Sequence, residues 1–179
     1  MNDELQTLAQ QVSLLALDAD GVLTSGMLYY DEQGGENKSF NVRDGLGLRL
    51  LREAGLEVVI ISGRSSSSLS RRARELDIRL VFQGVRNKRL LLAEVLRDQS
   101  LKWEQVAYMG DDVNDLACLA LVGLPMAPAD AAPEVLAIAR FVASQPGGQG
   151  AVRQACELIL KARGQWLEVV DRFFNSPPG

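Results

Sequence analysis

Histidine is absent from the 179-residue chain, and cysteine occurs only at positions 118 and 156. The lack of histidine excludes Ser-His-Asp and Cys-His catalysis as well as His-ligated zinc, so catalytic proton transfer would have to use carboxylates or other groups. Two distant cysteines form neither a disulfide framework nor a paired metal-ligand motif. We therefore expect Cys118 and Cys156 to be buried free thiols.

The chain also lacks a surplus of positive charge and long hydrophobic runs. Its formal net charge is −4 and its pI is near 5.0, which argues against nucleic-acid binding because no cationic excess is available to replace counterions. No window is apolar enough to span a membrane, and Asp3 and Glu4 stand where a signal peptide would be basic. We expect a soluble, cytoplasmic protein with a single domain over residues 1–179.

Apolar runs alternate with helical periodicity along most of the sequence. The run Leu14–Leu17 contains no polar residue, which is typical of a strand buried on both faces of a parallel sheet. Further strands are predicted at 57–61, 79–83, 105–109, 124–127 and 140–143. The intervening helices are predicted from 44 to Gly55, from the serine run at 65–68 to residue 76, at 87–97, at 113–121 and near 131–137. The helix at 87–97 is amphipathic, with Leu90, Leu91 and Val95 on the side that would face the core.

Two regions depart from this alternation. Short β runs at 27–30 and 38–42 flank a Gly-Gly turn and predict a hairpin flap within about residues 23–41. A last helix is expected from 151 to about 174, within a C-terminal segment of about 151–179 whose Pro-Pro-Gly tail should be frayed. The whole pattern predicts an α/β fold, a Rossmann-like doubly wound, mostly parallel sheet with a small β-hairpin flap.

Polar side chains follow the predicted strands at the point where each strand ends. Asp18 and Asp20 come directly after the first strand, two positions apart, and so project to one side. Because the carboxyl ends of parallel strands meet at one edge, we expect the following residues to join them: Ser62, Gly63, Arg64, Lys88, Gly110, Asp111, Asp112, Asn114 and Asp115. Facing carboxylates without histidine or cysteine favour Mg²⁺, whereas a hydroxyl, backbone amides and a lysine suit a phosphate. The set predicts phosphoryl transfer.

These residues resemble, in order, the four motifs of the haloacid dehalogenase superfamily phosphatases. The matching segments are Asp18-Ala-Asp20-Gly-Val, Ile61-Ser62-Gly63-Arg64, Lys88 and Gly110-Asp111-Asp112-x-x-Asp115. The flap, the segment at 41–45 and Gly148-x-Gly150-Ala-Val-Arg153 narrow the resemblance to the 3-deoxy-D-manno-octulosonate 8-phosphate phosphatases, which belong to the lipopolysaccharide pathway. The resemblance covers about residues 13–163. Ser25 departs from it, because the family usually carries Asp there, and this leaves the polarity of the flap open.

The resemblance implies a role for each motif residue. Asp18 would attack phosphorus and form an aspartyl-phosphate, and Asp20 would protonate the leaving sugar oxygen and then activate water. Mg²⁺ would be held by the side chain of Asp18, the backbone carbonyl of Asp20 and Asp111. Outer support would come from Asp112 or Asp115, and the phosphoryl oxygens would be held by Ser62, Gly63 and Lys88.

The resemblance also implies an assembly and a substrate pocket. Family members of this type lack a large cap domain and form homotetramers, in which flaps and neighbouring subunits close each site over a small sugar-acid phosphate. The pocket would be lined, partly from another chain, by Asp20, Asn41, Val42, Arg43, Asp44, Gly45, Arg49, Arg64, Arg72, Lys88 and Asn114. Several arginines are expected there because the substrate carries a carboxylate.

Alternatives stay open for single residues and for the whole chain. Arg43 could pair with Asp44 or Glu36, Arg49 and Arg72 could be solvated charges, Asp115 could be a structural acceptor, and Gly148–Arg153 could be a plain loop and helix turn. A related phosphatase acting on a nine-carbon ulosonate 9-phosphate has the same motifs. A phospho-accepting signalling receiver or a catalytically retired regulatory domain would share the fold, although Asp-x-Asp at the first strand argues against the former.

Overall fold

The computed structural model describes residues 3–175, apart from the side chain of Phe174. The tail at 176–179, which the sequence predicts to be frayed, lies outside the described residues. Within residues 3–175, none of the helices has the length and apolar character needed to cross a bilayer.

Six parallel strands form the central sheet, and a separate two-stranded hairpin forms the flap. In chain order the strands are β1 Leu14–Leu17, the hairpin strands β2 Tyr29–Tyr30 and β3 Glu36–Asn37, then β4 Glu57–Ile61, β5 Leu80–Phe82, β6 Val106–Met109, β7 Leu124–Ala127 and β8 Phe141–Val142. The order across the sheet is β5-β4-β1-β6-β7-β8. The first strand is therefore central, with Leu17 opposite Ile60 of β4 and Met109 of β6.

Helices cover both faces of this sheet. They are α1 Asp3–Gln11, α2 Val42–Glu53, α3 Ser67–Glu75, α4 Lys88–Asp98, α5 Leu116–Leu119, α6 Pro133–Ile138, α7 Ala151–Ala162 and α8 Trp166–Asn175. Side chains of β1 alternate between the two cores: Leu15 and Leu17 pack with α2 and α7, whereas Leu14 and Ala16 pack with α4 and α5. The α/β doubly wound fold predicted from the sequence is confirmed. Both cysteines are buried free thiols, as expected.

The flap has a different register from the predicted one. Its second strand lies at Glu36–Asn37 and not at 38–42, because α2 already begins at Val42. Asn41 caps that helix, since its side-chain oxygen accepts a hydrogen bond from the Arg43 amide. An N-cap signal therefore overrides the strand-like alternation of residues 38–42.

Three predicted helices also differ in detail. The helix expected from 151 to 174 is interrupted between α7 and α8, where Gly164 adopts a φ of +71°. The predicted helix at 113–121 is a 3₁₀ turn at Val113–Asp115 followed by the short α5. On α4, Leu90 is more than half exposed, and Leu92, Val95 and Leu96 form the buried face.

Asp44 joins α2 to α7 in the interior. Its carboxylate accepts hydrogen bonds from the amides of Gly150 (3.2 Å) and Arg153 (2.7 Å), and the side chain is buried. Helix α7 begins after Gly150, which has a φ of +115° and supplies no capping side chain. Asp44 therefore acts as a cap supplied by another helix, and it anchors the C-terminal part of the fold to the segment at 41–45.

Replacing Asp44 by Ala should lower the free energy of unfolding by about 2–3 kcal/mol, because the amides of Gly150 and Arg153 lose a charged acceptor. Chemical denaturation measures the loss. Asp98→Ala is the matched control, since Asp98 is exposed on α4 and should change stability by less than about 0.5 kcal/mol. Equal stability of Asp44→Ala and the unsubstituted protein would contradict this account of the α2–α7 link.

Candidate active site

Three acidic side chains meet at the carboxyl edge of the central strands. Asp18 follows β1, and its amide donates to the Met109 carbonyl of β6 at 3.0 Å, so β1 and β6 end side by side. Carboxylate oxygens of Asp18, Asp111 and Asp115 all lie within 4.8 Å of one another. A group of oxygen ligands this close could hold a divalent cation.

Lys88 lies within this acidic group. Its ammonium is 2.9 Å from Asp18 Oδ1 and 2.8 Å from Asp115 Oδ1, and its side chain is almost fully buried. Lys88 is the first residue of α4, a helix capped by the side chain of Asn87, which accepts from the Leu90 amide. The start of α4 therefore fixes the position of the ammonium that contacts Asp18.

Asp115 is held from three sides. Its Oδ1 accepts hydrogen bonds from Lys88 and from the Tyr108 hydroxyl (2.6 Å), and its Oδ2 accepts from the Asp111 amide (3.2 Å). Both Asp115 and Tyr108 are fully buried. Because these hydrogen bonds use both of its oxygens, Asp115 is placed to orient Lys88 and Asp111, which matches a supporting position better than that of a direct metal ligand.

Burial and mutual repulsion alter the ionisation of the group. Burial, together with the charge of Asp115, raises the pKa of the Asp18 carboxyl from 3.8 to about 6, although Lys88 opposes the change. Burial, with the charges of Asp18 and Asp115, raises the pKa of Asp111 to about 7. Burial lowers the pKa of Lys88, but the two neighbouring carboxylates outweigh it and hold that pKa above its ordinary value. The acids therefore lack enough positive charge to balance them, and a bound cation would relieve this.

Two loops at this edge, the one after β1 and the one before α7, have room only for glycine at positions 21 and 147. A Cβ at Gly21, whose φ is +84°, would lie 1.9 Å from Asp111 Oδ2. A Cβ at Gly147 would lie 1.8 Å from the Gly21 carbonyl oxygen, and the Gly148 amide donates to the Val22 carbonyl at 2.9 Å. The loop before α7 therefore supports the loop after β1 through backbone contacts that leave no room for side chains.

Ser62 and Gly63 follow β4, the neighbour of β1. Ser62 is buried, and its hydroxyl accepts a hydrogen bond from the Arg64 amide at 3.2 Å, whereas Gly63 is exposed. Asp112 caps the 3₁₀ turn by accepting from the Val113 amide, and the adjacent Asn114 is exposed. These residues lie at the same edge of the sheet as Asp18, as parallel pairing of β4, β1 and β6 requires.

Asp20 lies in a second charged group, which joins the sheet edge to the flap. The Lys38 ammonium pairs with Asp20 Oδ1 and is 3.2 Å from Glu36 Oε1. Arg64 pairs with Glu36 Oε2, and its Nε is 3.8 Å from Asp20 Oδ2. Its guanidinium also donates to the Tyr30 hydroxyl at 3.2 Å. The flap therefore contacts the predicted catalytic acid Asp20 through the ammonium of Lys38.

The other predicted pocket residues are spread over several parts of one chain. Arg43 lines a polar cavity of about 560 Å³ with Arg153, and the neighbouring Val42 is exposed. Arg49 lines a different cavity, of about 290 Å³, beside Phe173. The remaining residues surround a gap of only about 10 Å³: Asn41, Asp44, Gly45 and Arg72. Arg72 donates to the Asn41 carbonyl at 3.3 Å and covers Gly45.

The sequence does not predict a role for Tyr108, Glu36 or Lys38, although each of them contacts a predicted site residue. Tyr108 lies inside a strand and has the pattern of a core residue, so no sequence signal distinguishes it. Glu36 is the first residue of β3 and Lys38 follows its last residue, so the two lie two positions apart and their side chains project to one side of the flap. That spacing, just before the predicted pocket segment at 41–45, is the signal that could have identified them.

Comparisons with known proteins agree with this geometry. A family model described as haloacid dehalogenase-like hydrolase matches residues 80–154. The chain is 44% identical over 161 residues to 3-deoxy-D-manno-octulosonate 8-phosphate phosphatase of Yersinia pestis, covering 90% of this chain and 86% of that protein. It is 41% identical over 157 residues to the corresponding protein of Escherichia coli K12, covering 88% and 84%.

A solved structure shows the same fold with ligands. The enzyme of Moraxella catarrhalis, in complex with magnesium ion, phosphate ion and the sugar acid KDO, superposes with a TM-score of 0.93 at 35% identity, covering 97% of this chain and 99% of that one. The chain therefore belongs to the haloacid dehalogenase-like hydrolases and, within them, to the family of the 3-deoxy-D-manno-octulosonate 8-phosphate phosphatases.

Proposed function

We propose that the chain is a Mg²⁺-dependent phosphatase that hydrolyses 3-deoxy-D-manno-octulosonate 8-phosphate to the free sugar acid and phosphate through an aspartyl-phosphate on Asp18. The observation that carries this proposal is the contact of Asp18 with Lys88 and its closeness to Asp111 at the sheet edge. Support comes from the relatives named for this activity and from the relative bound to magnesium, phosphate and KDO.

The donor set fits a hard divalent cation. It offers carboxylate oxygens of Asp18 and Asp111 without histidine or thiolate, and the raised pKa values of both acids indicate missing positive charge. We assign Mg²⁺ to these two side chains and the backbone carbonyl of Asp20, with Asp112 and Asp115 in support. Magnesium bound there would neutralise charge on the phosphoryl oxygens and on the attacking carboxylate.

The side chains of this chain then divide the reaction between them. Asp18 Oδ1 accepts from the Ala19 amide (2.7 Å) and contacts Lys88, which orients the carboxylate for attack. As the new bond from Asp18 to phosphorus forms, the bond to the sugar oxygen breaks and Asp20 gives that oxygen its proton. Water then attacks phosphorus, loses a proton to Asp20 and releases phosphate, which restores Asp18. Ser62, Gly63 and Lys88 would hold the phosphoryl oxygens.

The sugar-acid pocket is proposed to form between subunits of a homotetramer. In one chain, Arg43 and Arg49 line different cavities, and Asn41, Asp44, Gly45 and Arg72 are packed together, so a neighbouring chain would be needed to bring such groups to one substrate. Neutron or X-ray scattering in solution tests the assembly. The place in lipopolysaccharide synthesis and the cytoplasmic location, both expected from the sequence, stay predictions.

A phosphate-release assay with Mg²⁺ tests the activity. We expect turnover of the eight-carbon sugar-acid 8-phosphate and a loss of at least about 10³-fold in kcat for Asp18→Asn, because the nucleophile is removed. Asp98→Asn, which changes an exposed acid far from the sheet edge, is the control and should behave like the unsubstituted protein. A higher kcat/KM for a nine-carbon ulosonate 9-phosphate would favour that substrate instead.

Other results would reject the phosphatase. A long-lived phosphorylated Asp18 without turnover would favour a signalling receiver. Absence of both phosphorylation and turnover, with every acidic sugar phosphate tested, would favour a retired regulatory domain.

Metal binding should appear in the pH dependence of stability. Without metal, folding raises the pKa of Asp18 from 3.8 to about 6 and that of Asp111 to about 7, so the folded state retains protons that the unfolded chain releases. The contribution of these two groups to the free energy of unfolding is therefore fully present below about pH 4 and is lost as the pH rises to about 7. Added Mg²⁺ should stabilise the protein more at pH 8 than at about pH 5.5, because protons compete with the cation.

Thermal unfolding in chelator and in excess Mg²⁺ measures this effect. At 100 times its Kd, Mg²⁺ should add about 2.7 kcal/mol, or about 5–10 °C in Tm at this chain length. Asp111→Asn should raise Tm in chelator at pH 8 and remove most of the response to Mg²⁺, whereas Asp98→Asn, at an exposed acid on α4, should leave the response intact. A Mg²⁺ response that Asp111→Asn leaves unchanged would contradict the assigned site.

A further inference from the structure

Four charged side chains join the flap to the sheet edge: Asp20, Glu36, Lys38 and Arg64, here called the flap quartet. Lys38 and Glu36 come from the flap, whereas Asp20 and Arg64 follow β1 and β4. Each cation faces both acids: Lys38 contacts Asp20 and Glu36, and Arg64 contacts Glu36 and lies 3.8 Å from Asp20. The quartet is electrically balanced, and one of its members is the proposed acid and base of the reaction.

Burial differs sharply between the two cations. The Lys38 side chain is 2% exposed, whereas that of Arg64 is 46% exposed. Removing an ammonium from water costs several kcal/mol, which the attraction of its partners offsets only when the geometry is favourable, so a buried ion pair is a poor device for stability alone. Attachment of the flap could use exposed pairs at little desolvation cost. The buried position of Lys38 therefore calls for another explanation.

The quartet also fixes the orientation of the Asp20 carboxylate. Its Oδ1 faces the Lys38 ammonium, and its Oδ2 faces the Arg64 guanidinium. Asp20 itself is about one-quarter exposed, and no contact other than these two ion pairs constrains its carboxylate among the described residues. Without Lys38 the side chain could turn to other rotamers.

We propose that Lys38 is a positioning residue for Asp20: its buried ammonium, itself held by Glu36, keeps the Asp20 carboxyl group in the orientation from which the acid form gives a proton to the leaving oxygen and the carboxylate form takes one from the attacking water. The inference rests on the function proposed above for Asp20. Lys38 acts through Asp20 and need not touch the substrate. A misoriented acid typically lowers the rate by about 10–100-fold, and that is the effect expected when Lys38 is lost.

The test compares two substrates that differ in their need for an acid. A sugar alkoxide leaves only when it is protonated, whereas p-nitrophenolate leaves as a stable anion. For Lys38→Met, which keeps an unbranched apolar side chain, kcat on the sugar-acid phosphate should fall about 10–100-fold with KM within about 3-fold. The kcat/KM for p-nitrophenyl phosphate should stay within about 3-fold, since it reports only the steps up to departure of the leaving group. Lys102→Met, at an exposed lysine, is the control.

A double-mutant cycle tests the route of the effect. If Lys38 acts through Asp20, Lys38→Met should cause no further loss of kcat/KM on the sugar-acid phosphate in an Asp20→Asn background. Retained turnover of p-nitrophenyl phosphate by Lys38→Met shows at the same time that the variant is folded and binds Mg²⁺.

Three results would overturn the proposal. Equal losses on both substrates would mean that Lys38 only supports the fold, a raised KM with unchanged kcat would mean that it binds the substrate directly, and an unchanged or raised kcat would mean that it does not assist Asp20. Failure of the proposed function gives a different pattern, because the unsubstituted protein would then hydrolyse neither substrate, and the role of Lys38 would fall with it.

Discussion

The ammonium of Lys88, shared between Asp18 and Asp115, is the interaction on which the site depends. Three carboxylates, two of them buried and that of Asp111 half-buried, lie together at one edge of the sheet, where each repels the others. Lys88 contacts two of them, Asp18 and Asp115. The Tyr108 hydroxyl donates to the same oxygen of Asp115 as Lys88, and the Asp111 amide donates to the other. The arrangement leaves Asp18 oriented and an excess of negative charge at Asp18 and Asp111, which is the property a cation site requires.

Sheet topology brings Asp18 and Lys88, which are distant in sequence, to the segment that carries Tyr108, Asp111 and Asp115. The first strand is central, so the loops after β4 and β6 lie on either side of Asp18. Close packing of those loops then limits the residue types that fit. A side chain at Gly21 would collide with Asp111, and one at Gly110 would lie 2.5 Å from the Cβ and Cγ of Asp115. Asp111 and Asp115 can therefore lie this close to the loops only because Gly21 and Gly110 carry no side chain.

The sheet and its acidic edge can be predicted from the sequence for a physical reason. Parallel strands buried on both faces appear as unbroken apolar runs, and their polar ends necessarily lie at one edge, so β4 and β7 have the predicted bounds and Asp18 and Asp111 come together. The role of Tyr108 cannot be predicted in this way, because a tyrosine inside an apolar strand has the pattern of a core residue. The alternation at 38–42 also predicts the second flap strand too far along the chain, since the position of that strand depends on a helix cap and on ion pairs to distant residues.

The flap shows why such errors concentrate near function. Its strands have two residues each and no buried side chain, so apolar packing cannot hold the hairpin in place. Tertiary contacts must do so, and those described run mainly through the flap quartet to Asp20 and Arg64. Two of these ion pairs include Asp20, so the attachment of the flap and the orientation of the proposed acid and base depend on the same cations.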